Sequence, residues 1–182
     1  PQLSQRLESA RDRAIKSLST PRHLALLNEL VSAAAMPRVT ELGNSASKDV
    51  LPELVDRSFR RLARRVKQLE LEGPAEVWHE ARISAKRARY SAEAVSGVFG
   101  GPAKRLADAL SEVTEILGDH QDACIAQDVL REMAATDGID GRTGFALGLL
   151  HEHEFETELH NRLEFKRIWP HVRRVHKSTK LA

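Results

Sequence analysis

The sequence predicts an all-α fold, and three observations predict it. Apolar residues recur at three- and four-residue steps along nearly the whole chain, and alternating strand-like runs are almost missing. Helix start and stop signals also punctuate the chain, notably Thr20-Pro21, Gly73-Pro74 and Gly100-Gly101-Pro102. Antiparallel helices with short loops imply one or two bundles.

The elements follow in order. Leu3, Leu7, Ala10, Ala14 and Leu18 mark a first helix. Thr20 is placed to cap a second, with Pro21 at its first position, running to about Ala35 before Met36-Pro37 stops it. Residues 43–47, Gly-Asn-Ser-Ala-Ser, read as a loop. The third helix, from Val50 to Glu72, carries Leu51, Leu54, Val55, Phe59, Leu62 and Val66 on one side. Arg57, Arg60, Arg61, Arg64 and Lys67 fall on the other. A fourth helix is expected from Ala75 to Phe99, a fifth from Ala103 to Leu117 and a sixth from Asp119 to Ala135. In this reading Gly118 ends one helix in the left-handed conformation, Asp119 caps the next, and Asp122 sits in its first turn. A seventh helix spans Arg142 to Phe165, and a short basic one surrounds Trp169.

Composition narrows the function. The chain has 182 residues, 41% hydrophobic and 30% charged, which is enough for a real core and too apolar for a disordered chain. No apolar run reaches the ~18 residues of a membrane span, so no membrane partner is expected. One cysteine, Cys124, excludes an internal disulfide and reads as a small core-facing hydrophobe in a reducing, cytoplasmic setting. Aromatic content of 4% argues against base-stacking platforms and makes nucleic acid a poor partner. The chain opens at Pro1 and reads as an excerpt of something longer.

Charge distribution points to an anion. The net charge is only +2, yet residues 55–89 hold ten Lys/Arg against five acids, and residues 166–182 hold six Lys/Arg and no acid. The fourth helix concentrates the signal. His79, Arg82, Lys86, Arg89, Tyr90 and Glu93 fall within about 100° of arc, and an alanine-rich face lies roughly opposite. Such a face admits close helix packing, which makes this helix central. Central cations are costly to desolvate without anionic partners. Either acids on neighbouring helices neutralise them, or the stripe takes an anionic ligand.

Catalytic and metal patterns are absent from the sequence. His120, Asp122 and His79 match no ligand spacing, and the alternating residues His151-Glu152-His153-Glu154 form a solvated acidic face, since HExxH would require a second His four residues on. No nucleophile elbow or phosphate-binding glycine loop occurs, and no cofactor is expected.

The run His79-Glu80-Ala81-Arg82-Ile83-Ser84-Ala85-Lys86-Arg87-Ala88-Arg89-Tyr90, with Glu93 beyond it, resembles the signature helix of the CHAD family, the conserved histidine α-helical domain. Leu117-Gly118 followed by Asp122 resembles that family's second element, and Arg22 near a helix start resembles its middle region. The resemblance implies two pseudo-symmetric four-helix bundles, each lending one basic helix to a central positive groove that binds inorganic polyphosphate. It also implies fusion to a triphosphate-tunnel domain or association with polyphosphate granules in some members. Only one motif copy occurs here. The chain therefore reads as a single CHAD-like domain over 1–182: residues 1–42 resemble the middle of the family domain, and residues 50–182 form its C-terminal bundle with the motif helix at 75–99.

The resulting expectation is a binding module for polyphosphate, not an enzyme. Its contacts are His79, Arg82, Lys86, Arg89, Tyr90, Arg57, Arg61, Arg64 and Arg22, with Gly118, Asp119 and Asp122 as a structural junction and no metal. A protonated His79 would add a pH-dependent contact. The alternatives are a phosphohydrolase or phosphotransferase using Glu80, Glu93, Asp119 or Asp122 to hold a divalent cation, and nonspecific nucleic-acid binding through the third helix. A second copy of the chain, or a missing N-terminal half, would cover the Leu3/Leu7/Ala10/Leu18 stripe.

Overall fold

The computed structural model describes residues 2–179 and 181. Every regular element among them is helical: α1 (Gln2–Leu18), α2 (Pro21–Ala35), α3 (Ser47–Val66), α4 (Ala75–Ala94), α5 (Ser96–Phe99), α6 (Gly101–Ala134) and α7 (Gly141–Ser178), with a 3-10 turn at Glu41–Asn44. The all-α expectation holds. The chain divides into two compact units, Pro1–Ser45 and Ala46–Ala182.

The first unit is the α1–α2 hairpin and its trailing turn. Thr20 caps α2 as its sequence predicts, its side-chain oxygen accepting from the His23 N–H at 3.3 Å, with Pro21 following. The apolar side chains of this unit remain uncovered: Leu7 is 70% exposed and Val31 69%.

The second unit holds the core. α3 packs on α4, α4 on α6, and α6 along α7. Their apolar stripes meet in one cluster that includes Phe59, Leu62, Trp78, Leu110, Val113 and Phe165. Asp140 caps α7 by accepting from the backbone N–H groups of Arg142 and Thr143 at 2.9 and 3.0 Å, and these bonds hold its carboxyl below the usual range.

Four boundaries depart from the sequence reading. α3 ends at Val66 and not at Glu72, because the carbonyls of Glu70, Leu71 and Gly73 turn out of a helix to accept from Trp78 and Arg162. α4 stops at Ala94, and a one-turn α5 follows before Gly100 (φ +59°) reverses the chain. The expected junction at Gly118, Asp119 and Asp122 does not exist. α6 runs through all three, Gly118 is not left-handed, and both acids are exposed on its surface. A mid-helix glycine costs ~1 kcal/mol. The buried run Leu110, Val113, Leu117, His120 and Ala123 continues across it, and that packing outweighs the cost. Likewise α7 passes through Pro170. Pro170 and Lys166, whose carbonyl loses its partner, are both exposed, while Phe165, Ile168 and Val172 anchor both sides.

Candidate anion-binding site

α4 is oriented by its small residues. Ala81, Ala85, Ala88 and Ala92 are each no more than 1% exposed, so the helix is pressed into the core on that face and turns its basic stripe away. His79, Arg82, Lys86 and Arg89 are half-buried along this edge, and Tyr90 is exposed. Two contacts fix the edge against α6. The His79 Nδ1 lies 2.6 Å from the Gln121 Oε1, and the Arg89 Nη1 donates to the Ser111 Oγ at 3.4 Å. The two helices are therefore antiparallel, with residue numbers rising along α4 as they fall along α6.

The sequence left open whether acids or a ligand balance the stripe. Arg89 has an acid, with Glu93 Oε1 3.5 Å from its Nε, and its guanidinium lies 4.9 Å from the Tyr90 ring centre. Among the described residues, Arg82 and Lys86 form no ion pair. The Nε atoms of Arg82 and Arg89 are buried without a hydrogen-bond partner there. A buried N–H of this kind is expensive unless something accepts from it. The groups of this edge from which an anion could accept are the half-buried Arg82 and Lys86, which have no acidic partner among the described residues.

The α3 arginines form a second basic surface on the other side of α4. Arg57 and Arg60 are partly neutralised, lying 3.9 and 2.7 Å from Glu53, and Arg60 also reaches Asp56 at 3.1 Å. Arg61 and Arg64 have no ion pair among the described residues. With Arg65 and Arg87 they line a cleft of about 550 Å³ between α3 and α4, where Arg65 is bound to Glu80 at 2.8 Å. The sequence reading missed Arg65 and Arg87. The signal was available, since Arg87 lies on the same side of α4 as Glu80, the two falling about 80° and 100° from His79 on the helical wheel. Arg22 sits in the other unit, at the α1–α2 turn beside His23.

A buried polar cluster was also missed. Arg162 on α7 donates through Nε to the His120 Nε2 at 3.0 Å, through Nη1 to the carbonyls of Leu71 and Gly73, and through Nη2 to Glu158. Its guanidinium lies 5.2 Å from the Trp78 ring, and Gln127 Nε2 donates to Glu158 at 2.6 Å. Burial, helped by the adjacent guanidinium, lowers the His120 pKa to about 4. The imidazole is therefore neutral, accepts at Nε2 and keeps its proton on Nδ1. Cys124 is not the core hydrophobe expected. It is half-buried against the His120 ring, 3.9 Å from either nitrogen, with its thiol pushed up to about 12 by burial and by Glu158.

His120, Cys124 and Glu158 bring three potential metal-ligating atoms within 4.8 Å of one another. The guanidinium of Arg162 already engages two of them, so the cation that this cluster balances is Arg162. The other carboxylates in question do not converge: Glu80 pairs with Arg65, Glu93 with Arg89, and Asp119 and Asp122 are exposed on α6. No described helix is long and apolar enough to cross a membrane.

Residues 1–131 match the family model described as CHAD domain. The chain belongs to the CHAD family. CHAD domains are in general polyphosphate-binding modules and not catalysts. Two uncharacterized proteins from two strains of Mycobacterium tuberculosis are each 26% identical to this CHAD chain over 157 residues. The match covers 82% of this chain and 28% of each relative, so the chain spans well under half the length of the curated relatives it matches. No solved structure matches it significantly.

Proposed function

We propose that this chain binds inorganic polyphosphate along the α4 edge, with Arg82, Lys86 and Arg89 donating to successive phosphates and His79 and Tyr90 flanking them. The carrying observation is that Arg82 and Lys86 lack acidic partners among the described residues although both are half-buried. A base-free polyanion needs arrayed cations and few stacking rings, which is the composition of this edge. The α3 cleft, with Arg61 and Arg64, extends the positive surface, and Arg57 contributes less because Glu53 shares its charge. In this reading the chain supplies the C-terminal bundle of a CHAD domain, and a second copy or an N-terminal half supplies the rest of the groove. Turnover is not part of this reading: Glu80 and Glu93 are each paired with an arginine, and Asp119 and Asp122 are exposed on α6.

The test is titration with long-chain polyphosphate of the wild type and of the triple variant Arg82→Ala, Lys86→Ala, Arg89→Ala. The triple variant should bind at least ~100-fold more weakly, with a shallower dependence on salt. Equal affinities would refute the proposal. Release of inorganic phosphate in the presence of Mg²⁺ would replace it with the hydrolase reading, and equal competition by duplex DNA would replace it with nonspecific polyanion binding.

A further inference from the structure

Gly118 has no explanation in the fold. It lies in the interior of α6, at a negative φ, where glycine is a poor helix former. Close packing does not require it either, because a Cβ built there would meet no atom within 4 Å among the described residues. Neither of the usual reasons for a helical glycine applies.

Its surroundings give a different reason. His79 meets Gln121, and Arg89 meets Ser111, across the α4–α6 seam. Arg82 is three residues on from His79 along α4, and Gly118 is three residues back from Gln121 along α6. The antiparallel register therefore sets Arg82 opposite Gly118. On the helical wheel Gly118 falls about 20° from Ser111 and about 60° from Gln121, on the α6 face that meets α4. Of the cations on the stripe, Arg82 is the one with a buried Nε lacking any partner and no ion pair among the described residues. A side-chain-free gap thus stands, by register, across from a half-buried guanidinium without an acidic partner among the described residues.

We propose that Gly118 forms the floor of a phosphate notch: one phosphoryl group of the bound chain seats in the space that a side chain at Gly118 would fill, and accepts from the half-buried Arg82 guanidinium. This rests on the polyphosphate reading of the α4 edge and adds to it a residue that carries no charge. It makes the glycine a determinant of binding at the expense of helix stability.

The two roles separate in Gly118→Ala and Gly118→Leu. If the notch exists, both variants melt higher than wild type, by about 2–4 °C for alanine, because a helix former replaces glycine in open space. Both also bind long-chain polyphosphate more weakly, by ~10-fold for alanine, the loss of about one charge-assisted hydrogen bond, and further for leucine. Unchanged affinity with a raised Tm overturns the notch, while the triple variant of the stripe still reports on the parent reading. A lowered Tm in both variants also overturns it, since the space would then be occupied in the folded protein. If the triple variant binds as wild type does, the parent reading fails and the notch fails with it.

Discussion

At the scale of single residues, the contrast between two arginines is instructive. Arg162 is almost fully enclosed and has acceptors on three sides, whereas Arg82 is half-buried and its Nε has none. Removing Arg162 would strand Glu158 and two backbone carbonyls, so Arg162→Ala should lower unfolding free energy by about 3–5 kcal/mol in a urea melt. A loss under ~1 kcal/mol would show that water replaces the guanidinium freely. His120 gives the cluster a pH signature. Its pKa is about 4 in the folded protein against 6.5 for a free imidazole, so the unfolded chain binds the proton first. Stability should be intact above about pH 6.5 and decline as the pH falls toward 4. His120→Gln, which retains an acceptor for Arg162, should flatten that decline, and an unaltered profile would assign it to other groups. The basic stripe was legible because charge periodicity on one helix is local information. Arg162 was not, since all its acceptors but Glu158 come from the 67–74 turn and from α6, far away in sequence.

At the scale of elements, α4 separates two basic surfaces, the wall of α3 and its own stripe. The positive wall of α3 shares its cleft with Arg87, while the stripe faces α6. Arg61 and Arg64 are exposed and opposite the core face of α3, so replacing both with alanine should leave stability within ~0.5 kcal/mol. It should also reduce the slope of log affinity for polyphosphate against log salt by up to ~1.4, about 0.7 per lost contact. Replacing Arg57 and Arg60 should reduce it less, because Glu53 and Asp56 already offset them. Equal slopes for both double variants would make the wall a diffuse field without local preference. Helical periodicity and the apolar and basic faces of α3 and α4 were readable from the sequence. Helix ends were not, because glycine and proline predict breaks that extended packing overrules, as at Gly118 and Pro170.

At the scale of the whole molecule, the two units differ in what holds them. Residues 46–182 enclose a continuous apolar cluster, whereas α1 and α2 keep leucines and valines 45–70% exposed. A hairpin without a core is marginal in water. A peptide of residues 1–45 should therefore show weak, non-cooperative helical ellipticity, and a fragment of residues 46–182 should melt in one cooperative transition. A sharp melt of the short peptide would mean that its helices stabilise each other without cover. Sequence patterning revealed the apolar stripe of α1 correctly as a stripe. What covers it depends on surfaces that a single chain's periodicity does not encode.

The aromatic residues carry one more consequence. The chain has two tryptophans, Trp78 and Trp169, and both lie in or against the core of the second unit, stacked with His120 in one case and with Phe59 and Phe165 in the other. Indole emission thus reports on the second unit, while circular dichroism sees the helices of both units. The molecule carries its own optical partition, and thermal curves recorded by light emission and by ellipticity need not superimpose even when each unit unfolds in a single step.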